Sequence, residues 1–454
     1  MAPFLDNGRP QAYFDVIGDL GHFRDIRSPA RCAARIGQAF SETPYYIPLD
    51  DCNVTVRLIS DVERNDRVFS DGVGTLSLAV VYNIWDVIPQ KKSAPTAFQI
   101  RFRGSKGMLA LDTNLSGSQI CIRPSMNKFE SNDKPNLEIC DMASKPIPLV
   151  LNRQMIKILE DMGCMDDWFF RMQDIELSRL RAVTADAYNV AKFLKHQNVG
   201  ETMRLHRLFS LCENMGVDYR KDRFLRSVIE ALVLRELRLL KHKARIPVRK
   251  GITLFGIMDE TGFIQENEVY VTYDTKGDRF DEPPGPGPVV VTRSPALHPG
   301  DIQVPYNVIP PRESPLRELS NVIIFSRHGE RDLPSQLSGG DLDGDIFNVI
   351  WDEDAMPQET FDPADYPRVA PVDLGREVTA EDMMNFFIDF MKLDHLGVIA
   401  TRHMILADQR DEGTVHDDCK TLAQLHSTAV DFSKTGIGVN LMELPRANKF
   451  RPDL

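Results

Sequence analysis

Leu337-Ser338-Gly339-Gly340-Asp341-Leu342-Asp343-Gly344-Asp345-Ile346-Phe347 carries three carboxylates within five residues. Two glycines precede them and an apolar run, Phe347-Asn348-Val349-Ile350-Trp351, closes the stretch. In an extended chain, positions i, i+2 and i+4 put Asp341, Asp343 and Asp345 on one face. Two like charges ~4 Å apart repel by ~1 kcal/mol in water and ~4 kcal/mol near a protein surface. Three pointed together call for a cation. Mg²⁺ is the natural candidate, a hard ion with oxygen ligands that keeps water or phosphate in its shell. Gly339, Gly340 and Gly344 allow sharp backbone angles and close approach of a bulky anion. A solvated acidic turn is the plainer meaning of an acidic triplet, but the flanking strand and glycines argue against it here.

Two other readings fail on spacing. A helix–loop–helix calcium loop needs Gly at its sixth position, which counted from Asp341 is Ile346. An aspartyl phosphatase expects its first Asp directly after an apolar strand, and Ser338-Gly339-Gly340 intervenes. The sequence also lacks the Gly-x-x-x-x-Gly-Lys-Ser/Thr loop of the common ATPases.

Outward from the acidic stretch, β-type runs recur back to about residue 246: Ile252-Thr253-Leu254-Phe255, Val269-Tyr270-Val271-Thr272-Tyr273, Val289-Val290-Val291 and Val322-Ile323-Ile324-Phe325. The segment Pro283-Pro284-Gly285-Pro286-Gly287-Pro288 reads as an irregular loop between two of them. A second β block spans 45–150, with runs such as Val54–Ile59 and Ala97–Phe102 broken by Gly, Asn, Asp and Pro. Residues 151–245 are helical in period. Asn152 caps a helix with Met155, Ile156, Leu159 and Met162 on one face, and Gly163 stands where it stops. Helices resume after about 377, with Phe386, Phe387, Phe390 and Met391 as an apolar face. The chain therefore divides into an N-terminal segment (1–44), a first β domain (45–150), a helical connector (151–245), a second β domain (246–356) and a helical C-terminal segment (357–454). The class is α+β, and two similar β blocks around a connector are compatible with a diverged duplication.

Cations gather away from the acids. Arg101-Phe102-Arg103-Gly104-Ser105-Lys106-Gly107 sets basic groups at a strand end, and Ile122-Arg123-Pro124-Ser125-Met126-Asn127-Lys128-Phe129 follows. Arg123, Lys106 and Lys128 in such Gly- and Pro-shaped turns suit phosphate better than free surface lysines do. A further patch, Arg235, Arg238, Lys241, Lys243, Arg245, Arg249 and Lys250, ends the connector. It reads equally as an exposed helix face or an RNA-backbone contact, the latter through Arg238, Lys241, Lys243 and Arg245.

The chain has 454 residues, 42% hydrophobic and 26% charged, with 54 basic and 66 acidic side chains and a net charge of −12. That length predicts two or three domains. The charge argues against a protein that grips nucleic acid by bulk charge, yet it leaves open a cleft with opposed acidic and basic walls. No apolar run reaches the ~18 residues that span a bilayer, so no membrane partner is expected. The start, Met1-Ala2-Pro3-Phe4, does not read as a signal peptide. Seven cysteines at wide spacings, without Cys-x-x-Cys, predict reduced thiols and no structural zinc, and an intracellular protein of nucleus, cytoplasm or both.

An acidic metal loop facing lysines suits phosphoryl or nucleotidyl transfer. The sequence resembles, at this point, the eukaryotic cellular RNA-dependent RNA polymerases of RNA silencing. Gly339–Asp345 looks like that family's Asp-x-Asp-Gly-Asp signature. It is joined in order by Phe69-Ser70-Asp71-Gly72-Val73-Gly74, Lys106-Gly107, Arg123-Pro124-Ser125-Met126 with Lys128-Phe129, and Met258-Asp259-Glu260-Thr261-Gly262. Further on come Arg293-Ser294-Pro295, His298-Pro299-Gly300-Asp301 and Asp431-Phe432-Ser433-Lys434-Thr435-Gly436. The resemblance implies two double-psi β-barrels joined by the connector. It implies Asp341, Asp343 and Asp345 as catalytic ligands of Mg²⁺, with Mn²⁺ able to substitute, and Lys106, Lys128 and Arg123 on the nucleotide phosphates. His298 would shape the cleft. The implied reaction copies a single-stranded RNA template with ribonucleoside triphosphates into double-stranded RNA for silencing, with silencing-complex proteins as partners. The competing expectation is a catalytically silent RNA-binding or scaffold relative, since the family's chains are usually longer. Asp394-His395-Leu396-Gly397 also departs from the family, which has Asn before Leu-Gly. If the shared site is real, the three carboxylates converge and Lys106 and Lys128 line the same cleft.

Overall fold

The β-type runs assemble into two mixed sheets, described in a computed structural model of residues 4–6, 8–11, 17, 18, 20–89, 94–132, 134–197, 199, 200, 203–275, 282–367 and 369–452. Helix α1 (Pro29–Ala39) precedes the first sheet, with Pro at its N-terminal turn. That sheet comprises β1 (Tyr45–Pro48), β2 (Thr55–Leu58), β3 (Val73–Leu76), β4 (Ala97–Phe102), β5 (Ser105–Leu111), β6 (Gln119–Ile122) and β7 (Asn136–Met142), in the spatial order β1-β7-β4-β5-β3-β6-β2. β3 runs parallel to β5 and β2 parallel to β6; the other neighbours are antiparallel. Helix α2 (Leu78–Val87) follows β3 and buries Val80, Val81 and Ile84 against the sheet.

The second sheet gathers β8 (Ile147–Val150), β9 (Pro247–Met258), β10 (Glu268–Thr272), β11 (Gly287–Pro288), β12 (Val290–Arg293), β13 (Ile302–Gln303), β14 (Tyr306–Asn307), β15 (Val322–Phe325) and β16 (Ile346–Ile350). β9 is its axis, pairing with β8, β15 and β16 and buried continuously from Gly251 to Met258. Such two-sided burial explains its unbroken apolar sequence. β8 lies within the span assigned by sequence to the first β block, but it pairs with β9. Long-range pairing decides that membership, and the local pattern of Ile147–Val150 cannot show it.

Between β8 and β9 the chain runs through α3 (Arg153–Asp161), α4 (Asp166–Val183), α5 (Ala187–Gln197), α6 (Leu205–Asn214) and α7 (Arg223–Lys243). Asn152 caps α3 by accepting the Met155 N–H at 2.9 Å, and Met155, Ile158 and Leu159 are its buried face. After the second sheet come α8 (Ala380–Leu393), α9 (Leu396–Gln409), α10 (Asp417–Val430) and the single turn α11 (Phe432–Thr435). The expected apolar face of α8 divides. Phe386 and Phe390 stack on Phe432, with centroids 6.1 and 5.1 Å away, while Phe387 and Met391 are exposed. Residues one apart on a helix point about 100° from each other, so the two i, i+4 pairs cannot share one stripe.

One apolar core joins both sheets, taking Phe98, Leu109 and Ile120 from the first and Ile257, Phe325 and Phe347 from the second. Full burial of each such side chain stabilises by about 1.5–3 kcal/mol. Polar joints fix their relative position. Thr96 Oγ1 donates to Ser320 O at 3.1 Å and accepts from Ser320 N at 2.9 Å, and Asn321 Nδ2 donates to Ala143 O at 3.1 Å. All seven cysteines are free, five of them buried.

Candidate active site

The acidic loop sits between a short helical turn, Leu333–Gln336, and β16. It is bent rather than extended, and its curl turns two backbone N–H groups onto the Asp345 and Asp341 carboxylates. The Asp341 N–H donates to Asp345 Oδ2 at 3.0 Å, and the Asp343 N–H donates to Asp341 Oδ1 at 3.1 Å. Gly344 has φ +126°, and a Cβ there would lie 2.0 Å from Gln99 Nε2. Only glycine satisfies both the angle and the approach. Leu342, 1% exposed, plugs into the shared core and anchors the loop from below.

The first sheet closes over this loop. The Leu342 N–H donates to Asp71 O at 2.9 Å, and Gln99 Nε2 reaches Asp343 O at 3.4 Å. A Cβ on Gly72 (φ +86°) would fall 2.4 Å from Asp343 Cβ, so the Asp71-Gly72 turn can touch the loop only as glycine. Asp61 holds that turn in place by accepting from Ser70 Oγ at 2.8 Å and from Ser125 N and Oγ at 2.9 and 2.7 Å.

Lys106 Nζ lies 2.6 Å from Asp343 Oδ2. It projects from the start of β5, where the Arg103-Gly104 turn reverses the chain. Lys128 Nζ donates to Ser125 O, and the Lys128 N–H donates to Gly104 O at 3.1 Å. Burial lowers the Lys128 pKa, an effect opposed by Asp71, Asp343 and Asp341, whose charges reach it. Asp341 is pushed up to about 7, by burial first and then by Asp343, Asp345 and Asp71. Burial also acts to raise Asp343, but Lys106, Lys128 and Lys434 outweigh it and hold its carboxyl below the usual range. The acidic loop and both lysines therefore share one cleft between the sheets.

Arg293 completes the pattern, a residue present in a quoted motif but given no role by sequence. Its place on β12, paired with Phe347 of β16, sets its guanidinium beside the loop. Nε lies 2.6 Å from Asp345 Oδ2, Nη2 3.1 Å from Asp345 Oδ1, and Nη1 donates to Ser338 O at 3.2 Å. Among the described residues, no three His, Cys, Asp or Glu side chains stand as a preformed metal cage. The reason is visible: Asp343 is paired with Lys106 and Asp345 with Arg293. The donor set nonetheless fits a hard divalent ion. It consists of carboxylate oxygens, one of them on a buried acid whose ionisation burial and its neighbours oppose.

Six expected site residues are placed elsewhere. Arg123, read as a phosphate ligand, is 3% exposed and fully committed. Its Nη1 and Nη2 meet Glu260 Oε1 and Oε2 at 3.0 and 2.9 Å, Nη1 also donates to Val73 O at 2.7 Å, and Nε donates to Ser60 O at 3.2 Å. It locks the first sheet to the second, with each guanidinium nitrogen engaged. His298 caps the turn Pro299–Asp301, its Nδ1 accepting from Gly300 N at 3.0 Å. Burial, then Lys420, lowers its pKa to about 4. Asp301 beneath it accepts from the Leu297 and His298 N–H groups, each at 3.0 Å, and from Tyr366 Oη at 2.8 Å. The basic residues Arg238, Lys241, Lys243 and Arg245 lie at and beyond the end of α7, before β9. In the β9–β16 ladder Phe255 pairs with Ile346 and Gly251 with Ile350. The patch is therefore beyond the ladder end opposite the acidic loop, and the ladder alone spans about 13 Å.

A family model described as RNA dependent RNA polymerase matches residues 1–454. The chain belongs to the RNA-dependent RNA polymerase family. It is 37% identical over 471 residues to RNA-dependent RNA polymerase 2 of Arabidopsis thaliana, covering 99% of this chain and 40% of that protein. It is 31% identical over 452 residues to RNA-dependent RNA polymerase 1 of Schizosaccharomyces pombe, covering 93% of this chain and 36% of that protein. Among solved structures, the RNA-dependent RNA polymerase QDE-1 from Thielavia terrestris shares the mixed α+β fold with a TM-score of 0.77 at 23% identity, over 95% of this chain and 52% of that one. The chain thus spans from about a third to about half of the length of these polymerases.

Proposed function

We propose that this chain is the catalytic core of an RNA polymerase that copies single-stranded RNA from ribonucleoside triphosphates, yielding double-stranded RNA for silencing. The observation that carries this reading is the 2.6 Å contact between Lys106 of the first sheet and Asp343 of the second, inside a cleft that also holds Asp341, Asp345 and Lys128. The two sheets are read as the family's pair of double-psi barrels. Asp341, Asp343 and Asp345 would hold Mg²⁺, or Mn²⁺ in its place. The bound cation supplies positive charge against the reacting phosphate and the leaving pyrophosphate. Lys106 and Arg293, which pair with Asp343 and Asp345, would present their charges to the triphosphate. Lys128, held between Ser125 O and the acids, lines the same path. The buried Leu342 and the Asp71-Gly72 turn keep the loop rigid, so the carboxylates need little reorganisation.

The polymerase reading places the protein inside the cell, in nucleus, cytoplasm or both, with silencing proteins as partners. A silent scaffold is the weaker reading, because nothing about scaffolding requires Lys106 and Arg293 to neutralise two loop carboxylates.

Purified chain given Mg²⁺, labelled nucleotides and single-stranded RNA should incorporate label, and Asp343→Ala should lower incorporation by about 10³-fold or more with RNA binding retained. If wild type and Asp343→Ala both bind RNA and neither extends it, the scaffold reading replaces this one.

A further inference from the structure

The turn Pro299–Asp301 and residues 361–366 take no part in the chemistry described above, yet both lie against the root of the acidic loop. The Asp301 side chain is buried. It accepts from the Leu297 and His298 N–H groups and, through both oxygens, from Tyr366 Oη at 2.8 and 3.0 Å. A buried carboxylate with that many donors is a firm anchor for each of them. Residues 361–366 cross the turn as a strap. Gln303 Nε2 donates to Phe361 O at 3.1 Å and Arg331 Nη2 to Ala364 O at 3.0 Å, and a Cβ on Gly300 would fall 2.0 Å from Asp362 O. Arg331 also grips the helical turn that leads into the loop, donating to Ser335 O at 2.7 Å and to Ser335 Oγ at 3.1 Å. The strap thereby sets the Tyr366 ring beside Gly339, where a Cβ would stand 3.6 Å from Tyr366 Cδ2, an ordinary van der Waals contact. One residue earlier, Ser338 has φ +53°, a left-handed conformation that a residue other than glycine keeps only where its surroundings hold it. Its Oγ donates to Pro295 O at 2.5 Å, and its carbonyl accepts from Arg293 Nη1 at 3.2 Å. The first sheet presses on the middle of the loop through Gly72 and Gln99. Tyr366, Pro295 and Arg293 hold its root from the second sheet's side.

We propose that Tyr366, anchored on Asp301, is a positioning residue for the acidic loop: its ring bears on Gly339 and keeps Asp341, Asp343 and Asp345 in the arrangement that takes a divalent cation. The hydroxyl fixes where the ring stands, and the ring limits how far the Gly339-Gly340 link can swing. Two adjacent glycines are the most pliable point of the stretch, so a contact there restrains every residue that follows. Carboxylates held in place before the cation arrives need little rearrangement to bind it. The motif His298-Pro299-Gly300-Asp301 thereby gains a function: His298 shapes the turn, and Asp301 carries the tyrosine. Tyr366 lies 65 residues beyond Asp301, so no local pattern reveals the pairing. The expected effect on turnover rests on the polymerase reading; the hold on the loop does not.

The test compares Tyr366→Phe, which keeps the ring and loses the anchor, with Tyr366→Ala, which loses both. It uses the whole chain under conditions where circular dichroism shows each variant folded. Amide hydrogen exchange over residues 338–345, without metal, should quicken by about 3-fold in Tyr366→Phe and about 10-fold or more in Tyr366→Ala, with the β9 amides unchanged. Mn²⁺ affinity, read by electron paramagnetic resonance, should fall in the same order, by about 3-fold and about 10-fold. In steady state Tyr366→Ala should lower kcat by about 10-fold or more and leave the nucleotide KM within about 2-fold. A tyrosine that merely packs would lower the denaturant midpoint and leave loop exchange and Mn²⁺ affinity at wild-type values, and that result overturns the proposal. Where Tyr366→Ala does not fold, wild-type exchange and Mn²⁺ affinity in Tyr366→Phe overturn it alone. If the loop loosens in both variants while the wild type incorporates no nucleotide, the positioning role stands and the polymerase reading falls.

Discussion

Two ion pairs tie the first sheet to the second, and they differ in every respect that separates a fastening from a working part. Arg123–Glu260 is bidentate, the arginine is buried, and each of its nitrogens is engaged. Lys106–Asp343 is a single contact at 2.6 Å between side chains 25% and 16% exposed. The buried guanidinium can only hold, because releasing it strands a buried charge. The lysine, a point charge on a flexible stem, can leave its partner when a stronger cation arrives. The same sequence cue, a cation beside Gly or Pro in a turn of the first sheet, thus led to opposite roles.

The largest expected effect strains the fastening. Arg123→Met should destabilise the fold by about 3–5 kcal/mol, since it leaves Glu260 facing a partly buried site without its partner. A denaturant midpoint unchanged from wild type would remove the contrast between the two bridges.

Acid probes a different joint, where the second sheet meets α9 and α10. Burial holds His298, His403 and His426 at about 4, with Lys420 adding to the effect at His298 and, at His403, His426 and His298 contributing after burial. A depressed folded pKa means that the unfolded chain takes up protons first. Each histidine therefore withdraws on the order of 3 kcal/mol as pH falls from 6.5 to 4. Asp301, raised to about 6 by burial, and Asp341, raised to about 7, act in the opposite direction over the same interval. The wild type should lose a few kcal/mol on acidification to pH 4, and Arg123→Met should follow a parallel curve. Replacing His403 and His426 together with Gln should flatten or invert the slope. A slope unmoved by that double replacement would exclude these histidines as the cause.

The smallest effect sharpens the comparison from the other side. Lys106→Gln should change stability by no more than about 1 kcal/mol, because the contact is single and the Lys128 and Lys434 charges still reach Asp343 once Lys106 is gone. A loss as large as that of Arg123→Met would make Lys106 a second fastening.

Much of the site was legible in the sequence: Asp341, Asp343 and Asp345, with Lys106 and Lys128 opposite them, meet in one cleft. The order of β and helical blocks was legible too, because periods of 2 and 3.6 are local. What could not be read depends on pairing across the chain. Ile147–Val150 joins the second sheet because β9 offers it an edge, more than 90 residues away. Arg293 acquires its role from the register that sets it opposite Phe347. Arg123 carries the same phosphate-like context as Lys106, and only the position of Glu260 distinguishes them. The acidic stretch forms a bent loop instead of an extended face, since backbone N–H groups of the loop turn inward to Asp345 and Asp341.

The account rests on Lys106 standing in for a metal at Asp343, and manganese binding measured by electron paramagnetic resonance tests it most directly. Removing the competing charge should tighten Mn²⁺ binding to Lys106→Gln by about 5- to 10-fold, or ~1 kcal/mol, while Asp343→Ala should abolish binding at the loop. Unchanged Mn²⁺ affinity in both variants would contradict the shared site.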